Sequence, residues 1–173
     1  MLHLSLERLP SPIGMMLLLS DERQRLRALD WQDHEARLQV LLRRQYGADI
    51  AIKEMRGRSP ACSALEAYFA GELKAIDAIA VQTGGTAFQK KVWSALRRMP
   101  AGTTMSYAQM AAKIGSPAAV RATGAANGAN PVSIVVPCHR LVGSDGRLVK
   151  YGGGLERKQW LLRHEGAAHE GAA

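Results

Sequence analysis

The segment spanning residues 130–140 limits the folds open to this chain more than any other stretch. Its apolar, β-branched residues 134–136 favour extended backbone, and Pro137 follows them at once. Proline has no N–H group to donate to a sheet, so the pattern predicts a buried strand that ends before Pro137. Cys138 would then lie at the end of a strand rather than inside a core.

A thiol at the end of a strand can serve as a nucleophile, provided that it is ionised. His139, Arg140 and the N–H groups of a turn are nearby groups that could favour the thiolate. The alternative is a structural role for Cys138, because cysteine is among the residue types that are most often buried. A cysteine followed by a histidine does not by itself decide between the two.

The composition is typical of a globular protein. Of the 173 residues, 47% are hydrophobic and 22% are charged, which argues against a disordered or fibrous chain. The longest apolar run, residues 15–19, is far shorter than the roughly 18 residues needed to span a membrane. The N-terminus lacks the basic and apolar pattern of a signal peptide, so we expect a cytoplasmic protein with no membrane partner.

Positive charge is concentrated in the second half of the chain. Residues 1–83 hold eleven Lys and Arg against eleven Asp and Glu, whereas residues 84–173 hold twelve against four. The net charge of +8 therefore lies in the same half as Cys138. Such a surface favours a polyanionic partner, most often a nucleic acid; the alternative is an ordinary solvated basic face.

The sequence contains no pattern typical of a metal or disulfide site. Its two cysteines, Cys62 and Cys138, suit a reducing compartment, and we expect Cys62 to be structural. No CxxC or HExxH motif occurs, and the five histidines lack the spacing of metal ligands. We therefore expect neither a metal nor another cofactor.

The first half predicts a small α+β domain without evident catalytic residues. Its predicted elements are a hairpin of strands 15–20 and 25–31, a helix from Asp33 to Tyr46 that stops at Gly47, a loop at 48–60, and a short helix from Ser63 to Gly71. The paired glycines within residues 82–85 then precede a new helix start and predict a linker. We place the domain boundary there, with domains at residues 1–83 and 84–173.

Two helices predicted in the second domain begin with a capping box. The motifs are Thr86-Ala87-Phe88-Gln89 and Ser106-Tyr107-Ala108-Gln109. Ser116 and Pro117 are typical of the start of a third helix, at residues 118–126. The last two helices are short and separated by a turn, a spacing typical of a helix-turn-helix.

Small side chains dominate the third predicted helix. Arg121 is its only long side chain among residues such as Ala119 and Gly124. A helix of this kind can lie close to the DNA minor groove while Arg121 enters the base stack and holds a base outside the duplex. The alternative is that the alanines pack against the neighbouring helix and that Arg121 is simply solvated.

The rest of the chain predicts two loops and a final helix. A tight turn is expected at residues 143–146, a flexible loop with three glycines at residues 150–154, and a helix at residues 155–165. Residues 164–168 recur as residues 169–173, a tail of small residues that we expect to fray.

Six motifs in register resemble one known family. They are Ser106-Tyr107, Arg121 in an alanine and glycine helix, Asn130-Pro131, Pro137-Cys138-His139-Arg140, Tyr151-Gly152-Gly153-Gly154 and Trp160-Leu161-Leu162-Arg163-His164-Glu165-Gly166. In order and spacing, residues 84–166 resemble the O6-alkylguanine-DNA alkyltransferases, the methylated-DNA-protein-cysteine methyltransferases of the bacterial Ogt type. Residues 68–73 resemble a segment of the family's N-terminal domain.

The resemblance implies a fold, a reaction and a partner. The fold would be an RNase H-like α/β domain followed by a mostly helical domain with a winged-helix-like helix-turn-helix and an active-site loop. The reaction would be DNA repair by irreversible transfer of an alkyl group from O6 of guanine to Cys138, with O4 of thymine as a second candidate source, so that each molecule acts once. The partner would be double-stranded DNA, bound through the minor groove with the alkylated base flipped out. The protein would be a monomer in solution, and cooperative binding along DNA is left open.

The resemblance also assigns roles to individual residues. Glu165 would orient His139, which would take the proton of Cys138 through a water. Tyr107 would donate to the purine ring and help to turn the 3′ phosphate, while a backbone N–H at Gly152 would approach O6. The remaining implied roles are Arg121 filling the gap left by the flipped nucleotide, Asn130 tying the recognition helix to the active-site loop, Ser106, Ala119 and Gly124 contacting DNA, and Tyr151, Gly153 and Lys158 lining or supporting the substrate pocket.

Two positions depart from the common family pattern. Gly152 replaces a serine or alanine, and Lys150 replaces a small or polar residue. Gly152 bears on the rigidity of the glycine-rich loop and on the size of the alkyl groups that it accepts. The charge of Lys150 could contact a phosphate or disturb the loop. Two other protein classes share parts of the pattern: a noncatalytic helix-turn-helix DNA binder, and a Cys-His hydrolase that would turn over many times on acyl substrates.

Overall fold

The computed structural model describes residues 1–168, so the expected fraying of the tail at residues 169–173 lies outside the described part. The chain forms two compact units. The first comprises Met1–Gly85 and Pro131–Val135, and the second comprises Thr86–Asn130 and the chain from Val136 onward. The first unit thus includes five residues that lie, in sequence, within the second predicted domain. No helix in the described part combines the length and the apolar character that crossing a bilayer requires.

A four-stranded sheet forms the centre of the first unit. Its strands are β1 (Leu2–Ser11), β2 (Gly14–Ser20), β3 (Leu26–Trp31) and β4 (Ile50–Glu54). Their order across the sheet is β3-β2-β1-β4, with antiparallel pairing throughout except between β1 and β4, which are parallel. The predicted hairpin of β2 and β3 is confirmed, and its register places Leu18 opposite Leu29.

Two α-helices accompany this sheet, α1 (Glu35–Tyr46) and α2 (Pro60–Phe69), with 3₁₀ helices at Gln32–His34 and Leu73–Ala78. One core cluster joins α1 to the first three strands; it contains Leu4, Leu17, Leu19, Ala28, Leu38 and Leu42. Burying each of its leucines contributes about 1.5–3 kcal/mol. The predicted end of α1 is confirmed: Gly47 has a φ of 81°, and its N–H donates to the Arg43 carbonyl at 2.9 Å.

The sequence did not predict a strand at residues 2–11, and the loop that it predicted at residues 48–60 is partly wrong. Residues 2–11 form β1, which the sequence did not predict because a charged residue interrupts the apolar alternation. That residue, Glu7, is buried in the strand, where its carboxylate accepts hydrogen bonds from the hydroxyl and N–H of Ser59. The expected loop contains β4, an edge strand whose last three residues are exposed and which therefore carries little apolar signal.

Both helices of the first unit begin away from the predicted residue. After a 3₁₀ turn, α1 begins at Glu35 instead of being capped by Asp33. The start of α2 is Pro60, three residues before the predicted start, because the Ser59 hydroxyl accepts a hydrogen bond from the N–H of Cys62 at 3.1 Å. Proline suits the first helical position, since an N–H there would have no partner within the helix.

The described part of the second unit contains four α-helices, a 3₁₀ helix at Cys138–Arg140 and a short ribbon. The α-helices are α3 (Ala87–Arg97), α4 (Tyr107–Lys113), α5 (Val120–Gly128) and α6 (Leu155–His164), and the ribbon consists of the parallel strands β5 (Met105–Ser106) and β6 (Leu141–Val142). Both predicted capping boxes are confirmed, at the starts of α3 and α4. The predicted helix-turn-helix consists of α4 and α5. The second of these helices begins at Val120 rather than at residue 118, because Ser116 and Pro117 lie in the turn before it.

The strand predicted at residues 134–136 is wrong. These residues form turns and a bend, and Val132 before them makes an isolated bridge to Leu29. Ile134 has a φ of 70°, a left-handed conformation that costs a β-branched residue about 1–3 kcal/mol. Its side chain is fully buried, so tertiary packing overrides the extended preference of the residue.

Candidate active site

Cys138 begins a 3₁₀ helix, Cys138–Arg140, that follows these turns. Its N–H donates to the Val136 carbonyl at 2.8 Å, and the N–H of Arg140 donates to the Pro137 carbonyl at 3.0 Å. Cys138 is only 6% exposed, so it lies in the interior of the second unit and not at an open strand end as expected. The residue is therefore largely shielded from bulk solvent.

Two buried asparagines fix the backbone around Cys138. The Nδ2 of Asn130 donates to the Val136 carbonyl at 2.8 Å, and the Nδ2 of Asn127 donates to the Cys138 carbonyl at 3.3 Å. Both lie near or just beyond the end of α5, so they link that helix to the segment that contains Cys138. The sequence analysis did not single out Asn127, because an asparagine near a helix end is ordinary in a sequence.

His139, Arg140 and Glu165 form a buried network. The Nε2 of His139 lies 2.8 Å from Oε1 of Glu165, and both side chains are fully shielded from solvent. Arg140 donates to the same carboxylate twice, from Nε to Oε2 at 2.9 Å and from Nη2 to Oε1 at 2.8 Å. Its Nη1 donates to the Met99 carbonyl at 2.6 Å. The carboxylate thus holds the imidazole and is itself held by the guanidinium group.

Electrostatics keep Glu165 ionised and His139 neutral. Burial alone would raise the pKa of Glu165, but its contacts with His139 and Arg140 outweigh that effect and hold the pKa far below its ordinary value. Burial lowers the pKa of His139, although the Glu165 carboxylate opposes the shift. A carboxylate only accepts hydrogen bonds, so the single proton of the neutral imidazole must be on Nε2. Nδ1 then carries a lone pair; it is buried and has no hydrogen-bond partner among the described residues.

Arg140 has a different place from the one considered from the sequence. There it was a group that could favour the Cys138 thiolate directly. Its buried guanidinium is instead committed to Glu165 and the Met99 carbonyl, so it acts on the site through the carboxylate. The sequence could not reveal this pairing, because the two partners are 25 residues apart.

Lys158 is a buried lysine that links three segments of the second unit. From α6, its Nζ donates to the carbonyls of Leu141 in β6 at 2.6 Å and of Lys150 in the glycine-rich loop at 2.9 Å. Burial lowers the pKa of Lys158 to about 8, and the charge of an ionised Cys138 opposes that shift. The attraction between the two charges is mutual, so the ammonium group favours the thiolate.

Tyr107 is the first residue of α4 and faces α5. A Cβ added at Gly124 would lie 3.8 Å from Cδ1 of the Tyr107 ring. Burial and the charge of an ionised Cys138 raise the pKa of Tyr107, while Asn127 opposes the shift. The phenol therefore keeps its proton at neutral pH and can donate a hydrogen bond. Ser106, directly before it, caps α4 through its Oγ.

The glycine-rich loop approaches His139 through Tyr151. The two rings meet edge to face, with centroids 6.5 Å apart and an interplanar angle of 86°. Gly153 is buried, and its carbonyl accepts a hydrogen bond from Nη1 of Arg157 at 3.1 Å. Gly152 is exposed, so its backbone is open to the close approach of another molecule.

The outer surface of α5 is smooth and carries one long cationic side chain. Its exposed residues include Arg121, Ala122 and Ala125. Gly124 and the N-cap residue Ala119, directly before the helix, are half-buried. The buried face packs against α3, where Nε1 of Trp93 donates to the Ala126 carbonyl at 2.8 Å. Only some of the small residues are therefore used for packing against neighbouring helices.

The residues singled out from the sequence fall into two groups. The first group comprises Cys138 and the residues near it, which are His139, Glu165, Asn130, Tyr107, Tyr151, Gly153 and Lys158. The second group lies at or near the surface of the helix-turn-helix and loop and comprises Ser106, Ala119, Arg121, Gly124 and Gly152. Cys62 belongs to the first unit, where burial raises its pKa to about 11. Within residues 1–168, no three His, Cys, Asp or Glu side chains are grouped so that they could hold a metal ion.

Sequence models of one family match both units. Residues 6–83 match the model described as the ribonuclease-like domain of 6-O-methylguanine DNA methyltransferase, and residues 87–167 match the DNA binding domain of the same protein. These matches confirm the predicted order of an RNase H-like domain followed by a DNA-binding domain.

Known proteins resemble the chain over nearly its whole length. The methylated-DNA–protein-cysteine methyltransferase of Salmonella typhimurium is 48% identical over 168 residues, which cover 96% of this chain and 98% of the relative. The crystal structure of the O6-methylguanine methyltransferase of Mycobacterium tuberculosis matches with a TM-score of 0.77 at 38% identity, over 96% of this chain and 93% of that chain. The M. tuberculosis OGT in complex with DNA matches with a TM-score of 0.74 at 36% identity, over 93% of this chain and 92% of that chain. The chain therefore belongs to the 6-O-methylguanine DNA methyltransferase family.

Proposed function

We propose that this protein repairs DNA by moving the alkyl group from O6 of an alkylated guanine to the sulfur of Cys138. O4-alkylthymine is a second substrate of the same chemistry. Membership of the family and the names of the relatives support the reaction. The observation that carries it is the neutral His139, held by Glu165 and Arg140 beside a shielded cysteine.

The reaction is a displacement at an sp³ carbon. The Cys138 thiolate attacks the alkyl carbon, the new S–C bond forms as the C–O bond breaks, and the electron pair of the broken bond leaves with the purine. The guanine anion takes a proton to become guanine, and the protein keeps a thioether. Water does not hydrolyse a thioether at neutral pH, so the thiol of Cys138 is not regenerated and each molecule acts once.

The thiol proton leaves toward His139. Because Nε2 donates to Glu165, Nδ1 is the basic atom of the imidazole, and it takes the Cys138 proton through a bridging water. The low pKa of Glu165 keeps a negative charge in place to stabilise the imidazolium that forms. The nearby Lys158 ammonium group stabilises the thiolate.

The leaving purine receives hydrogen bonds as its charge develops. The Tyr107 hydroxyl donates to the purine ring, and a backbone N–H at Gly152 approaches O6. Donors aimed at the leaving group stabilise the transition state more than the substrate, because the charge is largest there. Tyr151, Gly153 and Lys158 shape the loop that closes over the base.

DNA docks on the surface of α4 and α5. The outer face of α5, with its small side chains, lies in the minor groove, and Arg121 fills the space of the flipped nucleotide. The DNA backbone contacts Ser106, Ala119 and Gly124. The Mycobacterium tuberculosis relative solved with DNA supports this partner. We propose that the protein acts as a monomer in the cytoplasm, where its DNA substrate and a reduced thiol coexist.

Transfer of labelled methyl from duplex DNA tests this function. Incubation with a duplex that carries labelled methyl at O6 of one guanine should place at most one label per chain, on Cys138, and the C138A variant should take none. DNA binding without label on the unmodified protein would indicate a noncatalytic binder. Many turnovers on an acyl substrate would indicate a hydrolase. Mass spectrometry after exposure to O6-benzylguanine should locate the adduct on Cys138.

A further inference from the structure

Asn127 lies at the meeting point of three parts of the candidate site, although the sequence did not single it out. It is 7% exposed, near the end of α5, and its Nδ2 donates to the carbonyl of Cys138 at 3.3 Å. Its other side-chain atom, Oδ1, is buried and has no hydrogen-bond partner among the described residues. A buried amide with an unsatisfied oxygen costs free energy, so its retention needs a reason.

The Cys138 carbonyl fixes which way the amide of Asn127 points. A carbonyl oxygen only accepts hydrogen bonds, so the nitrogen of the amide must face it. The amide nitrogen carries two N–H groups, and the Cys138 carbonyl uses one. The second N–H is available to another acceptor within the cluster.

We infer that the hydroxyl oxygen of Tyr107 is that second acceptor, because the Tyr107 ring faces α5 close to Asn127: a Cβ added at Gly124, three residues before Asn127, would lie 3.8 Å from Cδ1 of that ring. Asn127 lowers the pKa of Tyr107, which is the effect of an N–H group that donates to the phenol oxygen. A phenol that accepts at its oxygen still has its own proton to donate, and accepting polarises the O–H group. The proton of Tyr107 is then directed away from Asn127.

We propose that Asn127 is a positioning residue for alkyl transfer, whose two amide N–H groups hold the Cys138 carbonyl and the Tyr107 hydroxyl oxygen so that the Tyr107 proton points at the bound purine. This inference rests on the proposed transfer reaction. Asn127 touches neither the alkyl group nor the purine; it acts through Tyr107 and through the backbone of the nucleophile. Asparagine is suited to this role because its amide nitrogen carries two N–H donors. Aspartate has the same shape but no N–H group to donate.

A double-mutant cycle between Asn127 and Tyr107 tests the proposal. The measured quantity is the second-order rate constant of methyl transfer from an O6-methylguanine duplex for the unmodified protein, N127L, Y107F and the double variant. We expect N127L to slow transfer by about tenfold or more in the unmodified protein and by less than about threefold in the Y107F background. Equal factors in both backgrounds would overturn the proposal, as would an unchanged rate in N127L.

Further measurements separate positioning from folding. The thermal unfolding of N127L and its binding to unmodified duplex should stay close to those of the unmodified protein. S94A, at an exposed position of α3, serves as the control. If N127L does not fold, N127A replaces it in the same cycle with the same expected factors, because alanine also lacks the N–H groups and adds no charge. The ¹³Cζ resonance of Tyr107, identified by its absence in Y107F, should titrate at higher pH in the Asn127 variant. An unmoved midpoint would overturn the contact with Tyr107.

The outcomes distinguish this proposal from the proposed function. If the unmodified protein transfers no methyl group, the proposed function fails. If it transfers the methyl group and the cycle is additive, only the role of Asn127 fails.

Discussion

The Nε2 atom of His139 and the Oε1 atom of Glu165 lie 2.8 Å apart inside the second unit, and Arg140 donates to the same carboxylate. The contacts with His139 and Arg140 keep Glu165 ionised by lowering its pKa, and an ionised carboxylate can only accept hydrogen bonds. The imidazole is therefore held in a single tautomer, with its basic nitrogen turned away from the carboxylate before any DNA binds. In the proposed reaction, this arrangement prepares His139 as the base before the substrate binds.

Removing the charge of Arg140 should destabilise the protein strongly. In R140M, the carboxylate of Glu165 would be buried without its guanidinium partner, which costs about 3–5 kcal/mol. Urea unfolding should measure this loss. The control is R147M, because Arg147 contacts Asp145 at the surface and an exposed pair contributes about 0–1 kcal/mol. Similar losses in the two variants would contradict the assigned role of Arg140.

Acid should destabilise the protein in two stages. The pKa of His139 is lowered in the folded state. Below the ordinary value of 6.5, the unfolded chain therefore binds a proton that the folded chain does not, so the free energy of unfolding decreases as pH decreases. The pKa of Glu165 is also lowered, so its stabilising contribution is complete above its ordinary value of 4.5 and is lost as pH falls below it.

The free energy of unfolding between pH 8 and pH 3 checks these two stages. In H139Q the first decline should shrink while the second remains. A stability that stays flat or rises as pH falls from about 6.5 in the unmodified protein would show that His139 is not buried in its neutral form.

Removing the ammonium group of Lys158 should slow alkyl transfer in a pH-dependent way. K158M lacks the charge that favours the Cys138 thiolate, so at pH 7 we expect transfer to O6-benzylguanine to fall by about tenfold. The pKa of Lys158 is about 8, so the unmodified protein loses the same charge as pH rises through that value. The ratio of the two rates should approach one by about pH 9.5. The exposed K90M variant is the control, and a pH-independent ratio would refute the electrostatic role.

Arg121 should matter for duplex DNA and not for the free base. In the proposed DNA complex, R121A removes the side chain that fills the gap left by the flipped nucleotide. Base flipping costs a few kcal/mol, so transfer from an O6-methylguanine duplex should slow by about 10²-fold. Reaction with O6-benzylguanine should be unchanged, because that substrate needs no flipping. The matched control is K91A, which removes an exposed cation from α3. A loss of both reactions in R121A would indicate a structural role instead.

The sequence alone predicted the elements whose hydrogen bonds lie within a few residues. The capping boxes of α3 and α4, the stop at Gly47 and the hairpin of β2 and β3 all follow from local patterns, and the structure confirms them. The family motifs also pointed to Cys138 and the residues named with it. The caps, the helix stop and the hairpin depend on neighbours along the chain, so no knowledge of tertiary contacts is needed for them. The candidate site residues came from the family resemblance.

Tertiary structure decided the features that depend on distant partners. Glu7 stays in β1 because Ser59 binds its carboxylate, and Ile134 adopts a left-handed conformation because its side chain is buried, although local preference points elsewhere in both cases. Arg140 became a partner of Glu165, and Asn127 a partner of the Cys138 carbonyl, across 25 and 11 residues of chain. Burial makes an unpaired charge or amide costly, so these long-range pairs are fixed only when the whole core has formed.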